Sequence, residues 1–100
     1  MNGPEEAIRL LGLAARAGAV VAGTERVREA AARGRLRLVI VASDVSPNRR
    51  QKLMPLLERA GVRIAPGTDR ARLGEAVGRA PVSAIGVTDA SFARRIEELL

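Results

Sequence analysis

Hydrophobic and polar positions follow two rhythms along this chain. After Pro4, the run EEAIRLLGLAARAG opens on Glu5 and Glu6, carries Arg16 near its end and reaches Gly18, the start and stop signals of a helix. Its apolar residues nearly encircle the axis, which predicts a well-buried helix. AVVAG, residues 19–23, predicts a short strand. Thr24 then reads as the N-cap of a helix over 24–33, with Val27, Ala30 and Ala31 at helical spacing and Gly34 as the stop. LRLVIVAS, residues 36–43, is a continuous Val/Ile/Leu run of the kind buried on both faces of a sheet. Ser46 and Pro47 supply a cap and a first-turn proline for a helix reaching about Ala60, ended by Gly61. Pro55 lies inside that span, lacks a backbone donor, and is expected to kink or divide it. VRIAP (62–66) predicts a third strand, 69–78 a fourth helix, VSAIGVT (82–88) a fourth strand and 90–99 a last helix.

Strands separated by helices predict an α/β layered sandwich with a small central sheet. No linker, tail or low-complexity tract interrupts the pattern, so residues 1–100 are expected to form one domain. RLVIVASD and SAIGVTD echo each other, each a strand ending in a hydroxyl residue and an aspartate. The segments between them do not match, so the echo reads as recurring turn chemistry rather than a repeat. With 47% hydrophobic residues, mostly Ala, Val, Leu and Ile, the composition is that of a globular protein. No apolar run approaches the ~18 residues of a membrane span. Nor is there a signal-peptide layout, and a soluble, cytoplasmic chain that does not contact membranes is expected.

The absence of cysteine and histidine excludes disulfides, thiolate chemistry, Ser/His or Cys/His relays and the usual zinc ligands. No cofactor or metal is expected. One enzymatic alternative rests on Asp44, Asp69 and Asp89, each placed near a strand exit, where clustered carboxylates could hold Mg²⁺ for phosphoryl chemistry. Aspartate before a helix is also an ordinary cap or turn residue, and that is the reading the pattern favours. GAVVAGT, residues 18–24, has the glycine spacing of a phosphate loop but neither its lysine nor its preceding strand.

Charge changes the picture more. The chain carries +6, and Lys52 is its one lysine, so the basic groups are almost all guanidinium, the group best shaped to bind phosphate bidentately. Residues 23–52 hold eight basic against three acidic side chains, a net of +5, which leaves +1 for the other seventy. Within them, Arg26 and Arg28 stand in the opening turns of the second helix, where the macrodipole disfavours cations by about 0.3–1 kcal/mol. A phosphate at that helix start would neutralise both while accepting hydrogen bonds from the free amides. Arg49 and Arg50 follow Ser46 in the same way, and Arg70 and Arg72 follow Asp69, so an arginine-rich composition also generates the arrangement. Glu25 and Glu29 have Arg28 and Arg33 within helical pairing distance. Phe92 is the sole aromatic residue, which excludes a base-stacking platform and leaves recognition of a structured nucleic-acid backbone through arginines and helix starts.

The stretch LLGLAARAGAVVAGTERVREAAARGRLRLVIVASDVSPN, with LGEAVG and VTDASFARRI, resembles the ribosomal protein L-seven-Ae superfamily, its bacterial YlxQ-type members most of all. The resemblance implies a three-layer α/β/α sandwich with a central four-stranded mixed sheet. It also implies a non-enzymatic role in binding structured RNA, ribosomal or kink-turn-like, on the translation apparatus or the ribosome. A kink-turn is a duplex bent by a short bulge beside tandem sheared G·A pairs. In the family, a glycine, a small or hydroxyl residue, an asparagine and a glutamate open helix two and enter the RNA groove. Gly23 and Thr24 match that motif, Glu25 stands at the asparagine position, Arg26 at the glutamate position, and Glu29 where a lysine follows one turn later.

A hydrophobic loop after helix four covers a bulged nucleotide in the family, and Arg79, Ala80, Pro81 and Val82 occupy that loop here. Gly74, Ala76 and Gly78 match LGEAVG and are expected to serve close packing and helix termination. The expected RNA-binding residues are thus Gly23, Thr24, Glu25, Arg26, Arg28, Arg33, Arg35, Arg79, Pro81 and Val82, extended by Arg49, Arg50 and Lys52 if helix three starts on the same side. The acids at 25 and 29 favour an alternative, a ribosome-associated protein-binding adaptor that has lost specific kink-turn recognition.

Overall fold

The computed structural model describes residues 3–100. In chain order it holds α1 (Gly3–Arg16), β1 (Val20–Ala22), α2 (Thr24–Ala32), β2 (Leu38–Val41), α3 (Pro47–Ala60), β3 (Ile64–Pro66), α4 (Arg70–Ala76), β4 (Ala84–Val87) and α5 (Ala90–Leu99). The sheet order is β1-β4-β2-β3, with β4 antiparallel to both neighbours and β2 parallel to β3. Register pairs Val39 and Ile40 of β2 with Gly86 and Ile85 of β4.

Strand alternation divides the core between two layers of helices, giving the α/β/α sandwich. Leu38, Ile40, Ile85 and Val87 pack with Leu10 and Leu11 of α1, Leu73 of α4 and Ile96 of α5. Val39, Val41 and Ala84 point to the other side, against Val27, Ala30 and Ala31 of α2 and Leu53 and Leu57 of α3. Gly86 faces this second layer at close range: a methyl group there would lie 2.5 Å from Leu36 Cδ2. Every position of β2 and β4 is buried, as the continuous apolar run of β2 requires of a strand covered on both faces.

Three local expectations are corrected. α1 is not enclosed on most sides: it buries one stripe, Ala7, Leu10, Leu11 and Ala14, and leaves Leu13 48% exposed, because only the sheet and its neighbours α4 and α5 cover it. α3 runs undivided through Pro55, whose outward placement leaves the packing of Leu53 and Leu57 intact. The N-cap of α2 is Gly23 rather than Thr24, for a reason that belongs to the site below. No helix among the described residues is long and apolar enough to cross a membrane.

Candidate functional site

β1, β2 and β3 run in one direction, since β4 is antiparallel to both β1 and β2 and β3 is parallel to β2. The helices that follow them, α2, α3 and α4, therefore all begin at one edge of the sheet. β4 also starts at this edge, fed by the segment 77–83, whereas α5 starts at the opposite one.

Gly23 joins β1 to α2 at this edge. Its N–H donates to the Ala84 carbonyl at 2.9 Å and its own carbonyl accepts from Val27 N–H at 3.0 Å, which anchors the helix start to the sheet. The turn between these bonds needs φ 99° and ψ 149°, a conformation that L side chains rarely adopt. With glycine as the cap, no side chain accepts from the first turn of α2. The starts of α3, α4 and α5 are capped: Ser46 accepts from Arg49 N–H at 3.2 Å, Asp69 from Arg72 N–H at 2.8 Å and Asp89 from Phe92 N–H at 2.9 Å. The amides opening α2 are thus left for solvent or a ligand.

Packing of α2 against α3 brings the two starts into one cleft of about 340 Å³, lined by Thr24, Glu25 and Arg28 from α2 and by Asn48, Arg49, Lys52 and Leu53 from α3. Three cations surround it against one carboxylate. The Arg28 guanidinium reaches Glu25 Oε1 at 3.3 Å, and that glutamate side chain is 86% exposed. Arg28 Nε is shielded from solvent and has no acceptor among the described residues.

The remaining residues singled out in the sequence distribute unevenly. Arg26 and Arg50 are exposed on α2 and α3 but do not line the cleft. Arg33 and Arg35 lie past the other end of the nine-residue α2, roughly 14 Å along its axis from Gly23. Arg79 stands just beyond α4, its N–H on the Gly74 carbonyl at 2.8 Å. From there the chain doubles back along α4, so close that a side chain at Gly74 would collide with Ala80. Val82 N–H reaches the Arg70 carbonyl at 3.1 Å, and Ala42 N–H donates to the Ser83 carbonyl at 2.9 Å. Exposed Pro81 and half-buried Val82 thereby return to the edge where Gly23 sits, and Arg79 does not.

The three aspartates do not converge. Asp69 and Asp89 are caps at opposite edges of the sheet. Asp44 accepts from Arg70 N–H at 2.8 Å and from its Nε at 3.4 Å. The Arg70 backbone N–H, seconded by its guanidinium, holds the Asp44 carboxyl below the usual carboxylate range. No three acidic side chains gather into a possible metal site among the described residues. Sequence reasoning missed two participants. Asn48 lines the cleft, with SPN after a strand as its only signal. The Asp44–Arg70 link, which ties the loop before α3 to the start of α4, joins residues 26 positions apart and left no local trace.

The ribosomal protein L7Ae/L30e/S12e/Gadd45 family matches residues 5–97. The RNA-binding protein YlxQ of Bacillus subtilis (strain 168) is 34% identical over 91 residues, 91% of each chain. Among solved structures, a protein with unknown function from Bacillus halodurans C superposes with a TM-score of 0.87 at 35% identity, covering 93% of this chain and 94% of that one. The Giardia lamblia 15.5kD RNA binding protein has the same fold, with a TM-score of 0.79 at 22% identity over 92% of this chain and 79% of its own.

Proposed function

The chain belongs to the ribosomal protein L7Ae/L30e/S12e/Gadd45 family, and from that premise we propose that it binds structured RNA of the kink-turn kind by docking, without catalysis, as a cytoplasmic component of the translation apparatus. The observation that carries this reading is the cleft at the starts of α2 and α3. It combines uncapped amides with three cations, Arg28, Arg49 and Lys52. A backbone phosphate has the charge and the acceptor oxygens to meet both. The absence of a side chain at Gly23 lets a sugar–phosphate chain approach the helix start. Arg26 and Arg50 widen the positive field around the cleft, Pro81 and Val82 offer an apolar edge to an unstacked base, and Arg33, Arg35 and Arg79 act at longer range.

The test is a titration against a kink-turn RNA and a plain duplex of equal length at two salt concentrations. Preference for the kink-turn that persists in the higher salt is expected. Equal and strongly salt-sensitive binding to both would reduce the site to a general basic surface. Glu25, exposed at the motif position where an amide is usual in the family, favours a second reading: a ribosome-associated adaptor that binds protein in place of a specific RNA. Partners retained after nuclease treatment and in high salt would support that reading.

A further inference from the structure

The sheet separates two layers of different charge. Residues 23–62, which contain α2, β2 and α3, carry nine basic against four acidic side chains, a net of +5. The rest of the chain, which supplies α1, α4 and α5, carries eight against seven. A second cleft lies on this near-neutral side, at the same sheet edge as the first but across the sheet from it. It measures about 590 Å³, within the roughly 300–1,000 Å³ of ordinary ligand pockets. Ile8 and Leu11 of α1 face Leu73 and Ala76 of α4 across it, with Ile40 beneath and Leu100 at one end. Gly67 packs directly on Ile40, where a methyl group would lie 2.5 Å from Ile40 Cγ2.

The rim is acidic in a chain that is otherwise basic. Exposed Glu5 projects from α1 and exposed Glu75 from α4, with Arg72 as the one cation beside them. Neither glutamate forms an ion pair with a described residue. Glu5 is stabilised by the start of its own helix, but Glu75 stands one residue from the end of α4, where the helix dipole disfavours an acid. Apolar walls and two unpaired carboxylates repel a phosphate backbone and complement a different partner.

We propose that this cleft docks a short segment of a partner protein, its aliphatic side chains seated between α1 and α4 and a lysine or arginine held between Glu5 and Glu75. Apolar anchors would supply most of the affinity and the rim its selectivity. The inference does not depend on the RNA reading, since it uses the opposite layer, and it leaves α2 and α3 free.

The experiment is a selection of displayed random peptides on the whole protein. It is followed by affinity measurements on the winners and by mapping of backbone amide shifts. Winners are expected to join two or more aliphatic residues to a lysine or arginine and to shift α1 and α4 while leaving Thr24 and Arg49 unmoved. The double variant Glu5→Lys/Glu75→Lys should weaken them about fivefold or more, on the scale of two rim ion pairs. Arg72→Glu, which removes the competing cation, should tighten them. Because the three substituted side chains are exposed, unchanged melting is the control for folding, and the opposite signs of the two variants separate docking from damage. No enrichment over the double variant, winners that are acidic, or shifts confined to α2 and α3 would overturn the proposal. Occupation by small aliphatic compounds but by no peptide would do the same.

Discussion

At Gly23 the backbone takes φ 99° and ψ 149°, held by one hydrogen bond to β4 and one to the first turn of α2. The space around its Cβ direction is open, so the restriction is conformational rather than steric. Gly23→Ala should therefore lower stability by about 1–3 kcal/mol in urea titration, and a neutral result would show that the turn is not strained. Asp44 makes a complementary prediction about pH. Its native pKa is depressed, chiefly by the Arg70 backbone N–H, so its ionised form stabilises the fold above the unfolded value near 3.8. That stabilisation is lost as pH falls through the lower native value. Wild type should exceed Asp44→Asn in urea midpoint at about pH 6, and the gap should narrow as pH falls below the unfolded value. A gap that widens on acidification would reverse the sign.

At the scale of the element, α2 differs from α3, α4 and α5 in how it begins. Those three satisfy a first-turn amide with Ser46, Asp69 and Asp89, while α2 leaves its own for an external acceptor. On the proposed reading Arg28 belongs to an anion site and Arg26 to the positive field around it, which accounts for cations at a helix start. Arg28 is partly neutralised by Glu25 in the free protein, so RNA must outcompete an exposed pair worth only ~0.2–1 kcal/mol. The double substitution Arg26→Ala/Arg28→Ala is expected to weaken binding across many RNAs and to flatten the log–log salt dependence, by nearly one unit for each phosphate that is no longer neutralised. An unchanged slope would remove these arginines from the interface.

Across the whole molecule, one topological fact organises both clefts. Three co-directional strands deliver the starts of α2, α3 and α4 to one sheet edge, and the sheet then parts a basic layer from a near-neutral one. Paired charge reversals test that asymmetry. Arg49→Glu/Arg50→Glu, on α3, should weaken RNA binding at least tenfold more than Arg94→Glu/Arg95→Glu on α5, although both change the net charge equally. At 0.1 M salt the Debye length is about 10 Å, so the α5 pair across the sheet is largely screened from RNA on α2 and α3. Similar losses from the two reversals would mean that only net charge matters.

The order and type of all nine elements follow from apolar periodicity and from glycine, proline, serine and aspartate at the boundaries, because these signals act within a few residues. The caps at Ser46, Asp69 and Asp89 were legible for the same reason, and so were the buried strands β2 and β4. Burial of one stripe of α1 was not, since its apolar residues surround the axis and only the position of the sheet and of α4 and α5 selects which of them are covered. Thr24 carries the stronger local cap signal, a hydroxyl, yet Gly23 is the cap of α2. The bond from Gly23 to Ala84, 61 positions away in the chain, decides against Thr24. Charge content could be read directly, but its placement could not. The convergence of Arg28 with Arg49 and Lys52 and the link from Asp44 to Arg70 are set by strand order, whereas Arg33 and Arg35 stand apart through the length of α2 and Arg79 through its place at the end of α4. Strand order arises from packing between segments far apart in sequence, and no local pattern encodes it.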